Sequence, residues 1–286
     1  MQHLQRANEL VKIFEDRIAS PLTINKNQKL YTGVDLGTAY IVIAVVDKNG
    51  SPVAGAMQFA QVVKDGLVVD YIGALDIVKK LKAQIETSIG RELELAAAAY
   101  PPGTEKGIQK TMTYIIEGAG MEVKNMIDEP SAANNVLNVK DGAVVDIGGG
   151  TTGTAIIKNG KVIHIDDEPT GGTHLSLVIA GSYNIDFQEA EKIKKDPARH
   201  EELLPIVKPV MKKIGSIVRN HITNYDVDTI YLVGGSSCFK GINKVIEKEV
   251  GLQVCLPANP FLVTPLGIAL SVTVEGSAAE KSGVME

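Results

Sequence analysis

Hydrophobic and polar positions alternate with helical spacing at the start of the chain. Apolar residues recur at steps of three and four from Leu4 to Ile18, and the opposite face carries charged and amide side chains. This spacing predicts an amphipathic helix. Ser20-Pro21 ends the helix, and the polar stretch from Thr23 to Lys29 predicts a linker. Two interpretations stay open: the helix packs on its own domain or on a second copy, or it is a detachable helix for partner binding or targeting.

After the linker the pattern changes to short apolar runs of strand type that alternate with helical periodicity. The predicted elements are strands at 31–35, 40–47 and 52–57, a helix at 74–89, a strand at 94–100, a helix at 104–118, a strand at 123–127 and a helix at 131–137. A glycine hairpin joins the first two strands, and a turn at Asn49-Gly50 joins the second to the third. This order of elements predicts an α/β fold.

The same order of elements begins again after Asp141-Gly142, and Asn159-Gly160 occupies the place of Asn49-Gly50. The predicted elements of this second half are strands at 143–147, 154–158 and 161–165, helices at 175–183, 187–195 and 202–223, a strand at 229–233, a helix at 239–249 and a last helix after Pro265. The sequence therefore predicts that the fold is duplicated.

Each half carries a glycine hairpin with an aspartate in front of it, VDLGT at Val34 to Thr38 and VDIGGGTTG at Val145 to Gly153. Glycine allows the backbone to turn sharply and approach a ligand, so that successive amides can point at phosphate oxygens. An aspartate at a strand end can hold a hydrated divalent cation. Two such hairpins that face each other would hold the phosphates of a nucleotide from both sides.

Composition and charge narrow the classes of partner. The chain has 286 residues, of which 44% are hydrophobic and 22% charged, enough for two domains of ordinary size. A net charge of −5 argues against nonspecific binding of nucleic acid or of an anionic membrane, because either would favour a basic face. The N-terminus has no apolar segment of secretory type, so we expect a cytoplasmic protein. Its two cysteines, Cys238 and Cys255, are too far apart for a CxxC motif.

Five segments carry a resemblance to a known superfamily. In chain order they are VDLGT, DEPSAAN, VVDIGGGTTGTAII, IYLVGGSSCFKGI and TPLGIAL. They resemble the phosphate 1, connect 1, phosphate 2, adenosine and connect 2 motifs of the actin, sugar kinase and heat-shock chaperone superfamily. The segment that ends in DEPSAA resembles the chaperone branch typified by DnaK. With VKDGLVVDY at Val63 to Tyr71, the compact chain is similar to the DnaK-like ethanolamine-utilization family associated with bacterial microcompartment operons.

The resemblance implies a duplicated ribonuclease H-like (actin-like ATPase) fold, with two domains around a nucleotide cleft and the amphipathic helix in front. The implied segments are the helix and linker at 1–29, domain I at 30–142, domain II at 143–264 and a C-terminal helix at 265–280 that returns to domain I. Few residues separate Lys195 from the next predicted helix, so the subdomain that caps the nucleotide should be reduced.

Roles for single residues follow from the resemblance. Asp35 and Asp146 would orient a hydrated Mg²⁺, with strand-end capping as the alternative, and Glu129 would lie near the attacking water, with a simple helix N-terminal carboxylate as the alternative. These three form the implied catalytic set. The implied nucleotide-binding residues are Gly37, Thr38, Gly148, Gly149, Gly150, Thr151, Gly171, Gly172, Glu191, Lys194, Gly234, Gly235 and Ser236. For Glu191 and Lys194, in the AEKIKK segment, a solvated helix face is the alternative.

The chain departs from the superfamily pattern at several positions. Gly153 stands where the chaperones have a third aspartate, and Cys238 stands where they have an arginine that stacks on adenine. Lys64 is only a candidate for the catalytic lysine. Loss of a charge-stabilising group can slow phosphoryl transfer about a hundredfold or more. Slow magnesium-dependent ATPase activity and no turnover at all both stay open.

The functional expectation is an ATP-binding, weakly hydrolysing, chaperone-like protein of an ethanolamine-utilization or microcompartment system. Closure of its domains on ATP or ADP with Mg²⁺ would change a surface for a protein client or a microcompartment component. The alternative is an actin-like scaffold or assembly adaptor that does not hydrolyse ATP. A filament is a further possibility. A small-molecule kinase is disfavoured, because that class needs a catalytic aspartate for an acceptor hydroxyl and usually a much longer chain. Nucleic acid and membranes are not expected partners. The expected location is the cytoplasm, with association to a microcompartment left open.

Overall fold

The computed structural model describes residues 4–25, 28–64 and 66–282, with the backbone alone from 274 onwards. These residues form two compact units. The first unit comprises the described residues up to Asn138 and those from Leu262 onwards, and the second unit is Val139–Phe261. Within the described residues, no helix is sufficiently long and apolar to cross a membrane.

The helices are α1 (Gln5–Ala19), α2 (Tyr71–Ile89), α3 (Lys106–Gly118), α4 (Glu129–Leu137), α5 (Gly172–Tyr183), α6 (Phe187–Lys195), α7 (His200–Ile222), α8 (Ile242–Val250) and α9 (Val263–Ser282). The strands are β1 (Leu30–Leu36), β2 (Tyr40–Asp47), β3 (Pro52–Phe59), β4 (Val63–Lys64), β5 (Leu67–Val68), β6 (Leu95–Tyr100), β7 (Glu122–Asp128), β8 (Gly142–Ile147), β9 (Thr152–Lys158), β10 (Lys161–Glu168), β11 (Thr229–Val233) and β12 (Gln253–Cys255).

Each unit contains a five-stranded sheet, and the two sheets have the same topology. Their strand orders are β3-β2-β1-β6-β7 and β10-β9-β8-β11-β12. In both, the first three strands form an antiparallel meander and the last two are parallel to the central strand. The predicted duplicated α/β fold is confirmed. The structure adds β4, β5 and β12, which are too short for a periodic pattern to predict them.

Helix α1 packs on its own unit. This agrees with the interpretation that the helix packs on its own domain. Phe14 and Val11 are completely buried, and the Phe14 ring lies over Gly55 of the edge strand β3. A Cβ atom on Gly55 would come within 2.6 Å of Phe14 Cε2 and 2.9 Å of Ile18 Cγ1. The absence of a side chain at Gly55 therefore allows the Phe14 ring to pack directly against the sheet.

Helix α9 returns to the first unit and packs against α4 and β1. The two helices touch through their backbones, because a Cβ atom on Gly267 would collide with the carbonyl oxygen of Ala132. Asn135 Nδ2 also donates to Gly267 O at 3.1 Å. On the β1 side, a Cβ atom on Gly33 would lie 2.7 Å from Pro265 O. The two motifs that resemble connect 1 and connect 2 are therefore in direct contact.

Candidate functional site

In the first unit, the site residues lie where three parallel strands end. Asp35 is half-buried near the end of β1, and Glu129 opens α4 directly after β7. Strand β6 lies between β1 and β7, so their carboxyl ends share one edge of the sheet. Ligand sites in open α/β sheets form at this edge. The fold therefore brings Asp35 and Glu129 to the same edge, about two strand spacings, or ~10 Å, apart.

Local interactions fix the two loops at this edge. The β1–β2 turn contains Gly37 and Thr38, and a Cβ atom on Gly37 would lie 2.8 Å from Tyr40 O. Asp128 caps α4, because its Oδ1 accepts from the Ser131 amide at 2.9 Å. That cap leaves Glu129 in the first helical turn, where the helix dipole favours a carboxylate. The alternative reading of Glu129 as a helix N-terminal carboxylate therefore also agrees with its position.

Tyr100 is a residue of this edge that the sequence did not single out. It ends β6 opposite Asp128, between β1, which carries Asp35, and β7, which leads directly to Glu129. Burial, and then the Asp128 charge, raise the pKa of its hydroxyl. The signal in the sequence was its place at the end of a buried run, directly before Pro101-Pro102.

In the second unit, the glycine hairpin after β8 is bound to the N-terminus of α5. The amides of Gly172 and Thr173 donate to the carbonyls of Gly148 and Gly149 at 2.9 and 2.8 Å, and Gly148 N donates to Thr151 O at 3.0 Å. Within the described residues, the amides of Gly149 and Gly150 donate no hydrogen bond. Such amides suit a phosphate.

Several glycines here leave room for neighbouring polar groups. A Cβ atom on Gly171 would lie 2.8 Å from both Gly148 O and Gly149 O. Gly234, directly after β11, has a φ of +86°, and a Cβ atom there would collide with the carboxylate of Asp146. These positions require glycine because two loops and a buried carboxylate meet there.

The turn at residues 234–236, in the segment that resembles the adenosine motif, contacts the same hairpin. Ser236 Oγ donates to Gly148 O at 2.6 Å, and a Cβ atom on Gly172 would collide with Ser236 Oγ. Gly235 is exposed, and a Cβ atom on it would lie 3.3 Å from Phe261 Cδ2. Cys238, at the place of the expected arginine, is exposed. The structure thus brings Ser236 and Gly234 to the hairpin and leaves Gly235 on the surface.

Glu191 and Lys194 of α6 form a buried pair beside this turn. Their side chains are 2.6 Å apart, Ser176 Oγ donates to Glu191 at 2.5 Å, and Lys194 Nζ donates to Gly172 O at 3.1 Å. Burial by itself would raise the pKa of Glu191, but the Lys194 ammonium and hydrogen bonds from Lys194 and Ser176 lower it. The alternative of a solvated helix face is therefore wrong for these two residues.

His200, which begins α7, holds α6 in place. Its Nδ1 accepts from the Lys240 amide at 2.9 Å, so its Nε2 carries the proton and donates to Lys194 O at 2.8 Å. Burial lowers the pKa of His200. A neutral ring is required by this arrangement, because protonation of Nδ1 would set two donors against each other.

Asp167 of β10 is the second residue that the sequence did not single out. Burial, and then the charges of Asp146, Asp166 and Glu168, raise its pKa from 3.8 to about 7, although a hydrogen bond with Thr151 opposes the shift. Its Oδ1 is shielded from solvent and has no hydrogen-bond partner among the described residues. The available signal was the acidic run before Gly171-Gly172, but nothing in the sequence set this aspartate apart from its neighbours.

Asp167 should make the unliganded protein less stable at neutral pH than in mild acid. Its raised pKa means that the folded state holds this proton more tightly, so stability falls as pH rises from about 4 to about 7. Asp167→Asn removes the ionisation. We expect its unfolding temperature to exceed that of the wild type by an amount that grows over this pH range, in thermal melts with EDTA.

An exposed carboxylate of the same unit provides the control for this pH dependence. Asp226 is 86% exposed, and Asp226→Asn should follow the wild-type pH profile. The expectation fails if the Asp167→Asn and wild-type curves stay parallel from pH 4 to pH 8.

The side chains that could act as metal ligands determine whether each unit can bind a metal directly or through water. No group of three or more His, Cys, Asp or Glu side chains suited to a metal occurs within residues 4–25, 28–64 and 66–282. Asp35 in the first unit, and Asp146 with Asp167 in the second, can instead hold a hydrated cation through water, as Mg²⁺ commonly requires. The residues present therefore fit a water-mediated Mg²⁺, and their roles in nucleotide binding stay predictions.

Comparison with known proteins places this geometry in a family. A family model described as type IV pilus assembly protein PilM matches residues 113–272. The ethanolamine utilization protein EutJ of Escherichia coli (strain K12) is 44% identical over 243 residues, 85% of this chain and 86% of that protein. A crystal structure of EutJ from Carboxydothermus hydrogenoformans is 48% identical, with a TM-score of 0.88 and coverage of 94% of this chain and 99% of that one.

A more distant structure extends the likeness of fold. MreB 5 of Spiroplasma citri, solved with AMPPNP bound, is 17% identical, with a TM-score of 0.72 and coverage of 89% of this chain and 99% of that one. At this identity the likeness shows the fold alone. The superfamily suggested by the five motifs is confirmed. The chain belongs to the EutJ family of ethanolamine utilization proteins, within the actin-like ATPase superfamily.

Proposed function

We propose that this protein binds ATP or ADP with Mg²⁺ through residues of both glycine hairpins. The observation that carries the proposal is the second hairpin, which two backbone hydrogen bonds from Gly172 and Thr173 hold against the N-terminus of α5. This arrangement leaves the amides of Gly149 and Gly150 for phosphate oxygens. The AMPPNP bound to MreB 5, a protein with a similar fold, supports the same class of ligand.

We further propose that hydrolysis is slow. In this proposal Glu129 orients the water molecule, and its position at the start of α4, at the edge where β1 also ends, supports that role. The aspartate and the arginine expected at Gly153 and Cys238 are both missing. An enzyme that has its water-orienting group but lacks charge-stabilising groups should bind nucleotide more readily than it hydrolyses it.

The biological role we propose is that of a chaperone-like protein in ethanolamine utilization. Bound nucleotide would control a surface for a protein client or a microcompartment component, in the cytoplasm or at the microcompartment. The relatives named for ethanolamine utilization support the pathway. The alternative, a scaffold or assembly adaptor that retains its nucleotide, is favoured by the match to a family model named for an assembly protein.

The binding proposal predicts that each hairpin aspartate matters. Asp35→Ala and Asp146→Ala should each weaken the affinity for Mg-ATP by about ten- to a hundredfold, because each removes a charged hydrogen-bonding group. Isothermal titration measures this change directly. Asp226→Ala, which removes an exposed carboxylate, serves as the control and should bind as the wild type does. Equal affinities in all four proteins would refute the proposal.

Two further measurements separate the roles. Steady-state phosphate release no faster than the Mg-ATP background, together with tight binding, would favour the adaptor over the weak ATPase. A pull-down from ethanolamine-grown cells, with ADP in one sample and ATP in the other, tests control of a partner. A partner retained equally with both nucleotides would contradict nucleotide control.

A further inference from the structure

Three residues form a cross-strand row in the second unit. Gly153 of β9 is paired with Asp146 of β8 on one side and with Asp167 of β10 on the other. Residues that are directly opposite in antiparallel strands direct their side chains to the same face of the sheet. Asp146 and Asp167 are therefore on one face, with a residue that has no side chain between them.

The glycine in the middle opens a space between two carboxylates. Neighbouring strands are about 4.8 Å apart, so the Cα atoms of Asp146 and Asp167 are separated by roughly 10 Å across β9. One oxygen of the Asp146 carboxylate, Oδ1, lies against Gly234, on the β11 side of β8. This separation of the strands leaves room for a hydrated cation, which carboxylates hold through water.

The two carboxylates are also electrostatically unbalanced. Asp167 interacts unfavourably with Asp146, and its buried Oδ1 has no hydrogen-bond partner among the described residues. Thr151, which forms a hydrogen bond with Asp167, belongs to the glycine hairpin after β8. A divalent cation at this place would offset the repulsion and satisfy the buried oxygen, and the same hairpin would carry the phosphates.

We propose that Asp167 is a binding residue for the divalent cation that accompanies the nucleotide, in place of the carboxylate missing at Gly153. It acts with Asp146, through water, from the opposite side of the row. The inference rests on the proposed function, because the cation arrives with the phosphates. Gly153 is then the residue that leaves room for the cation between two carboxylates.

The test separates metal binding from nucleotide binding. The affinity for ATP is measured by titration in Mg²⁺ and again in EDTA, for the wild type, Asp167→Asn and Asp166→Asn. We expect Asp167→Asn to reduce the gain in affinity due to Mg²⁺ by about tenfold or more, with the affinity in EDTA unchanged. Asp166 is adjacent in sequence and is paired with Thr154 instead of Gly153, so Asp166→Asn should keep the full gain.

Each outcome bears on one proposal. A full gain from Mg²⁺ in Asp167→Asn would overturn the inference, and so would equal losses in Mg²⁺ and EDTA, which indicate a structural role. If Asp166→Asn lost as much of the Mg²⁺-dependent gain in ATP affinity as Asp167→Asn does, the effect would be due to net charge alone. That result would also overturn the inference. If the wild type binds no ATP under either condition, the proposed function itself fails.

Discussion

Replacing Phe14 by alanine should lower the free energy of unfolding of the first unit by about 3–5 kcal/mol. The Phe14 ring is completely buried between α1 and β3, directly over Gly55. Because the glycine has no side chain that could move into the vacated volume, the cavity should stay largely open. Urea unfolding followed by circular dichroism measures the change, and the transition of this unit should move to lower denaturant concentration.

The adjacent residue on the same helix provides the control. Ile13 is 42% exposed, so Ile13→Ala should change stability by no more than about 0.5 kcal/mol. Similar small effects of both substitutions would mean that α1 does not pack on β3 in solution. The expected cost also bears on the targeting interpretation. A partner that detaches α1 has to supply at least the free energy lost when Phe14 leaves the sheet.

The elements with a clear apolar run or helical period were predictable from the sequence. The strands Tyr40–Asp47 and Thr229–Val233 and the helix Phe187–Lys195 have the predicted bounds. The two strands are continuous apolar runs and the helix has the 3.6-residue period, and both patterns are strong local signals. The strand Gln253–Cys255 and the pairing of Val63–Lys64 with Leu67–Val68 were missed. Two or three residues are too few to establish a period.

The importance of Asp167 could not be predicted, and the reason is a single irregularity in strand register. The pairing of β10 with β9 shifts by one residue between Val162 and His164. Without that shift, Asp166 would be opposite Gly153, and Asp167 would point to the other face. The acidic run Asp166-Asp167-Glu168 is visible in the sequence. Which of its residues lies on the same face as Asp146 depends on the bulge, and no local sequence pattern predicts that bulge.

The chemistry near α6 shows the same limit. The sequence offered a charged helical segment in which Glu191 and Lys194 had two nearly equal interpretations. Burial decided between them, since the pair lies beneath Gly172 with Ser176 as a further hydrogen-bond partner. Spacing along a helix gives the face on which a residue lies, but the element that covers this face is a tertiary property.

Gly267→Ala should destabilise the first unit by about 3 kcal/mol. The added methyl group would collide with the carbonyl oxygen of Ala132 and come 2.6 Å from its carbonyl carbon. Backbone atoms of α4 cannot rotate away as a side chain can, so α9 has to shift. That shift would also lengthen the hydrogen bond from Asn135 Nδ2 to Gly267 O. Thermal and urea unfolding measure the loss.

A glycine at an exposed position of a helix supplies the matched control. Gly107 of α3 has no atom within 4 Å of the position of a Cβ atom, so Gly107→Ala should stabilise the protein by about 0.5–1 kcal/mol. The same chemical change therefore has opposite expected signs at two helical positions. If Gly267→Ala were neutral or stabilising, α4 and α9 would not be in backbone contact in solution. If it destabilises as expected, glycine in the connect 2 motif is required for close packing of the two connect helices, independently of any ligand.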